Sequence, residues 1–373
     1  MKKKVMLIFG TRPEAIKMAI LVKEFKNQPE IFDTKICVTG QHREMLDQVL
    51  DFFNIIPDYD LNIMKQNQSL FDITAEIIQS LKPVLLGFRP HFLFVHGDTT
   101  TTLSASIAGY YSFCKVCHVE AGLRTYNKSS PFPEEINRQL TSRICDFHFA
   151  PTQTSKDNLI NENIKHESIL VTGNTVIDAL LQSVKKVNDN PSKLILELSK
   201  KIGNRDLILV TGHRRENHGQ GFENIFSALK KIADEYPKIS IIYPVHLNPK
   251  VYKPAKRILN KTNNIILIEP VNYPDFIWLM NRSKLIITDS GGVQEEAPSL
   301  GKPVLVMRET TERPEAVEVG TVILVGTNAD KIFTTTSKLL NDEKLIESMS
   351  KLHNPYGDGN ASKRIVEYIK KLN

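Results

Sequence analysis

The sequence predicts an α/β chain of two domains, each a parallel sheet covered by helices. Three observations carry that prediction: short apolar runs alternate with segments of helical periodicity, the runs form two series, and a polar break separates them. The first series is Val5–Phe9, Lys35–Val38, Phe92–Val95, Val116–Val119, Phe147–Ala150 and Ile169–Val171. The second is Leu207–Val210, Ile239–Tyr243, Ile265–Ile268, Leu285–Thr288, Val304–Val306 and Val322–Val325. Near-continuous apolar strands are buried on both faces, as parallel sheets between helices require. Two such series in 373 residues imply two Rossmann-like domains, because one ordinary core does not grow that large.

The break is Asn188-Asp189-Asn190-Pro191-Ser192, after a helix expected to begin near Asn174, so the boundary lies within Gly173–Asp206. We take residues 1–178 as the N-terminal domain and 179–359 as the C-terminal one. Pro355–Gly359 reads as a turn, and Ser362–Leu372 as an amphipathic helix.

Composition narrows the function. With 41% hydrophobic and 24% charged residues the chain is globular. Lys2-Lys3-Lys4 precedes five apolar residues, too few for a signal sequence, and no stretch is long enough to span a membrane. A cytoplasmic protein without a membrane partner is therefore expected. The net charge of +6 comes from 48 basic and 42 acidic residues without a long basic run, which disfavours nucleic acid and leaves a small anionic ligand sufficient. Cys114 and Cys117 form a CxxC within an apparent buried strand. No second CxxC and no HxxxH accompanies it, so the thiols read as small core residues and no metal is expected.

Parallel sheets bind ligands beyond the carboxyl ends of their strands, and two facing domains predict a ligand cleft. After the first strand, Gly10–Lys17 reads GTRPEAIK. Pro13 suits a first helical turn, and Arg12 and Lys17 suit a phosphate, the alternative being two solvated cations. After Val95 comes His96-Gly97-Asp98 and then Thr99 to Thr102; Asp98 is either an N-cap or a strand-end carboxylate. Glu120 stands at the next strand end, where a carboxylate has no simple structural job. Glu134 either opens a helix or folds back as a third acidic position. The second series delivers His213, Arg214 and Arg215 after Val210, cations suited to a diphosphate. It then delivers Asp289-Ser290-Gly291-Gly292, whose glycines let backbone approach an anion at a helix start. The segment is neither GxGxxG nor a P-loop, so NAD and ATP lose ground; a plain βαβ crossover is the alternative. Glu295 and Glu296 are expected in that helix's first turn, where either could hold a sugar hydroxyl. Arg308–Glu318 brings Arg313 to the same rim.

These segments carry a resemblance to the non-hydrolysing UDP-N-acetylglucosamine 2-epimerases: Gly10–Lys17, Gln41–Val49 (QHREMLDQV), His96–Thr102, His118–Arg124 (HVEAGLR), Val210–Glu216 (VTGHRRE), Thr288–Val306, Thr311–Ala316 and His353–Gly359. The resemblance covers nearly the whole chain. It implies a glycosyltransferase-B type fold, two Rossmann-like domains with parallel sheets facing a cleft, and a last helix, 360–373, returning to the first domain. It further implies reversible conversion of UDP-GlcNAc to UDP-ManNAc in a homodimer, without a cofactor, feeding bacterial surface polysaccharide. Arg12, Lys17, His213, Ser290, Gly291, Gly292, Glu296 and Arg313 would bind the UDP-sugar, with Val271 to Phe276 holding uracil. Gln41, Glu44, Arg214 and His246 would bind a second, activating UDP-GlcNAc. Carbon 2 of the sugar has no acidic proton, so UDP must leave carbon 1 first. Asp98 and Glu120 are the candidates for proton transfer, supported by Glu134, with His213 and Arg12 stabilising the departing UDP. The competing readings are a hydrolysing relative that releases ManNAc and UDP, and a sugar-nucleotide-binding protein without turnover.

Overall fold

The computed structural model describes residues 2–40, 43–65 and 68–372. The chain divides into two compact units, Met1–Ala179 with Tyr356–Asn373, and Leu180–Pro355. Each apolar run falls on a strand, with ends that agree to within three residues.

Unit 1 holds β1 (Lys3–Phe9), β2 (Phe32–Val38), β3 (Tyr59–Asp60), β4 (Phe92–His96), β5 (Lys115–Val119), β6 (Phe147–Ala150) and β7 (Ile169–Val171). They form one sheet in the order β3-β2-β1-β4-β5-β6-β7, parallel throughout. The order reverses between β1 and β4, the place where such sheets receive ligands. Register aligns His96 with Val119, so the segments after β4 and β5 leave the sheet side by side. Phe25, Phe94 and Phe149 fill one face, with Phe25–Phe94 edge-on at 5.1 Å and Phe94–Phe149 stacked at 6.1 Å. β3 was not foreseen: two residues carry no periodicity.

The helix Ala361–Lys371 packs against Arg12–Lys26, within unit 1. Both its ends are satisfied. The buried Asp178 carboxylate accepts from the N–H groups of Ala361 (3.2 Å) and Ser362 (2.7 Å), and Lys3 Nζ donates to the carbonyls of Ile369 and Lys370.

Unit 2 holds β8 (Leu207–Thr211), β9 (Ser240–Pro244), β10 (Ile265–Ile268), β11 (Leu285–Thr288), β12 (Val304–Val306) and β13 (Val322–Leu324). The order is β10-β9-β8-β11-β12-β13, again all parallel, with the reversal between β8 and β11. Thr211 pairs with Thr288, so the His213 loop and the Ser290 turn emerge together.

All four cysteines are free and buried, and burial pushes the Cys37 thiol up to about 12 and that of Cys114 to about 11. Among the described residues no helix is long and apolar enough to cross a membrane, and no group of His, Cys, Asp or Glu could hold a metal ion.

Candidate active site

In unit 1 the site is built at the ends of β1, β4 and β5. Glu14 ties the first two together. Its Oε2 accepts from the N–H groups of Gly10 (3.0 Å) and Thr11 (2.7 Å), and its Oε1 from the hydroxyls of Thr99 (2.7 Å) and Thr102 (3.2 Å). Gly10 also lets the neighbouring segments approach, since a Cβ there would lie 2.0 Å from Thr39 Oγ1 and 2.7 Å from Thr101 Oγ1. Thr11 caps the Arg12–Lys26 helix, so Arg12 and Pro13 are its first residues rather than loop. Thr99, not Asp98, caps Thr100–Tyr111, which frees the Asp98 carboxylate from that structural duty. Asp98 Oδ2 instead accepts from Arg138 Nη2 at 2.5 Å, and Asn137 Nδ2 donates to the Asp98 carbonyl at 2.9 Å.

Glu120 follows β5 with a left-handed backbone, φ +62°, a conformation that a non-glycine residue holds only when its surroundings dictate it. Those surroundings are cationic. Glu120 Oε2 is ion-paired with Lys17 Nζ, accepts from Asn174 Nδ2 at 2.8 Å, and lies 3.7 Å from His96 Nε2. Burial pushes this carboxyl up, but the Lys17 ammonium and the His96 ring outweigh it and hold it well below the usual range. His118, beneath it in β5, is a core residue. Burial drives its ring down to about 3, and its Nε2 lies 2.7 Å from the Gly97 carbonyl.

Glu134 opens the Glu134–Ile144 helix, half-buried. The buried carboxylate there is its neighbour Glu135, which accepts from the N–H groups of Thr125 and Tyr126, both at 3.0 Å, and from Arg138 Nη1 at 3.3 Å. Glu135 thus aims the arginine that holds Asp98.

In unit 2 the His213–Asn217 loop hangs on Asp289, whose Oδ2 accepts from the His213 and Arg214 N–H groups. The His213 ring stacks on His246, centroids 5.7 Å apart at 17°. Ser290 precedes a helix of six residues, Gly291–Glu296, that passes straight into a 3-10 turn, Ala297–Leu300. This corrects the placing of Glu295 and Glu296, which lie at the helix's end and not in its first turn, because Pro298 cannot continue an α-helix. Glu295 instead accepts from Arg313 Nε at 2.8 Å. Gly291 permits this: a Cβ there would come within 3.1 Å of the Arg313 guanidinium. Gly292 faces more open space. Glu296 is buried beside it, with Oε2 3.8 Å from where a Gly292 Cβ would stand. Arg308 braces the rim, donating to Glu216 (2.8 Å) and to both oxygens of Glu312 (2.8 and 3.1 Å). Val271 and the capping Asn272 lead from β10 into Tyr273–Arg282, which carries Phe276.

The structure therefore pairs Lys17 with Glu120 in unit 1 and sets Asp98 after the adjacent strand, and in unit 2 it sets His213, Arg214, His246, Ser290, Gly291, Gly292 and Arg313 in the segments that follow strands, with Glu296 at the end of the Gly291–Glu296 helix. Gln41 lies outside the described residues, and Glu44 falls in the helix Arg43–Phe53. Sequence reasoning did not single out Arg138, Asn174, His96 or Asp289. The signal for Arg138 was its place one helical turn after Glu134-Glu135.

A family model described as UDP-N-acetylglucosamine 2-epimerase matches residues 23–370. A UDP-N-acetylglucosamine 2-epimerase of Yersinia pestis is 56% identical over 371 residues, 98% of each chain. The crystal structure of the Neisseria meningitidis UDP-GlcNAc 2-epimerase bound to UDP-GlcNAc superposes with a TM-score of 0.88 at 52% identity, over 99% of this chain and 100% of that one. The Methanocaldococcus jannaschii enzyme, at 35% identity, matches with a TM-score of 0.86 over 98% and 99% of the two chains. On these grounds the chain belongs to the UDP-N-acetylglucosamine 2-epimerase family.

Proposed function

We propose that this protein interconverts UDP-N-acetylglucosamine and UDP-N-acetylmannosamine without net hydrolysis, supplying N-acetylmannosamine units for a surface polysaccharide. No carbonyl adjoins carbon 2, so direct removal of its proton is too slow to use. As the bond from carbon 1 to UDP breaks, the anomeric carbon gains positive charge and a carboxylate takes the carbon 2 proton. The C–H electron pair becomes the double bond of a 2-acetamidoglucal, and UDP departs with the C–O pair. Protonation of carbon 2 from the opposite face and attack of UDP on carbon 1 complete the inversion with no oxidant.

The observation that carries this reading is Glu120, an ionised carboxylate only 9% exposed just after β5, ion-paired with Lys17 and beside His96. Asp98, tied to Arg138, is the second proton-transfer group, with Glu134 in support. His213, Ser290, Gly291, Gly292, Glu296 and Arg313 bind UDP with Arg12, and Val271 to Phe276 hold its base. Charge-assisted donors stabilise the departing diphosphate. Gln41, Glu44, Arg214 and His246 bind a second, activating UDP-GlcNAc, and His246 stacks on His213.

Proton NMR of UDP-GlcNAc in heavy water tests both the product and the path. UDP-ManNAc, with deuterium at carbon 2 of both epimers, is the expected result, and rising substrate should give sigmoidal initial rates. Free ManNAc with accumulating UDP would place the chain on the hydrolysing branch, and an unchanged spectrum would leave it a binding protein.

A further inference from the structure

Asp289 follows β11, and its carboxylate is fully buried. The two oxygens have different surroundings. Oδ2 accepts three hydrogen bonds, from the N–H groups of His213 (2.9 Å) and Arg214 (2.8 Å) and from Asn217 Nδ2 (3.3 Å). Those bonds pin the loop after β8 to the neighbouring strand end, and they account for that oxygen completely. Oδ1 is equally buried yet accepts none. A buried acceptor left without a donor is costly, and more so when charged, so anchoring a loop does not explain it.

The group facing Oδ1 is His213 Nδ1, at 3.5 Å. Tyr243, the other titratable side chain beside Asp289, is already committed, donating its hydroxyl to the Gly212 carbonyl at 2.8 Å. The half-exposed His213 ring has its plane fixed by the stack on His246. Stacking does not choose between the two flips of an imidazole, since both present the same face. A carboxylate against one edge does choose, because the flipped ring would turn a carbon toward it.

The geometry points to Asp289 as the positioning residue of His213: Oδ1 takes the Nδ1–H, and Nε2 is thereby the nitrogen offered to the diphosphate of UDP. This rests on the proposed role of His213. No covalent bond changes at the imidazole. When the ring has taken a second proton from water, on Nε2, it donates from there to the departing oxygen, and the buried carboxylate balances the ring's charge.

The test compares wild type, Asp289→Asn, His213→Asn and the double variant, by UDP-GlcNAc turnover and by two-bond proton–nitrogen correlation of histidine-labelled protein at about pH 8.5, above the ordinary imidazole range. Asparagine keeps an oxygen for the loop amides, and a thermal melt checks that each variant folds. In wild type, His213 should carry its proton on Nδ1. In Asp289→Asn the proton should move to Nε2, with kcat lowered about 10²-fold and KM changed less than about threefold. In the His213→Asn background the same change should cost little more. An unprotonated Nδ1 in wild type overturns the proposal, as do losses that multiply in the double variant. Full turnover by His213→Asn would instead sink the diphosphate role of His213, and the nitrogen spectrum still reads the Asp289 contact independently.

Discussion

Glu120 is costly to build. Its side chain is only 9% exposed, it adopts a left-handed backbone, and Lys17, His96 and Asn174 converge on its charge. A residue so placed is expected to act chemically. Glu120→Gln keeps the shape and removes the charge, so kcat should fall by about 10²- to 10⁴-fold while UDP binding, followed by calorimetry, stays within about threefold. Comparable loss of both would make Glu120 a binding residue. The linkage has a definite sign. Its folded carboxyl lies below the ordinary 4.5, so its contribution to stability is present above that value and is lost as the pH falls through the folded one. The gap in urea midpoint between wild type and Glu120→Gln should therefore narrow on acidification. Which carboxylates matter was legible from their place after apolar runs. What holds them was not, because Arg138 and Asn174 stand 40 and 54 positions from Asp98 and Glu120, and only the folded sheet joins them.

Elements were legible in proportion to their length. The apolar runs located twelve strands, whereas the two-residue β3 and the early end of the Gly291–Glu296 helix depended on contacts and on Pro298. Glycines show how far local pattern fails, since identical residues have opposite functions within unit 1. Gly122, just after Glu120, has φ +95°, and a Cβ there would lie 2.1 Å from the Ser155 carbonyl oxygen. Gly87 sits exposed near the end of Leu70–Phe88, with nothing within 4 Å of a Cβ. Gly122→Ala should destabilise by about 2–5 kcal/mol, combining backbone strain with a clash against main chain. Gly87→Ala should stabilise by about 0.4–1 kcal/mol by restricting the unfolded chain. Urea denaturation of the two variants reads both signs, and a tolerated Gly122→Ala would show that the Ser155 segment moves freely.

At the scale of the whole molecule, unit 1 displays more exposed aromatic surface than a lone chain needs. Phe71, Tyr110 and Tyr111 lie on two neighbouring helices, and Phe113, in the turn beyond, is 97% exposed with a left-handed φ of +58°. An aromatic ring held in water by an unfavourable backbone has no folding advantage, and aromatic side chains are enriched where subunits meet. The homodimer implied by the resemblance supplies a reason for them, so light scattering after size exclusion should give about twice the chain mass of 42.3 kDa. Phe113→Asp places a charge where that contact would be desolvated and relieves rather than adds backbone strain, since Asp tolerates this conformation better than Phe. The variant should fall to the mass of one chain while its thermal melt still shows a cooperative fold. A wild-type mass of one chain, or a variant that stays paired, would remove this face from the assembly.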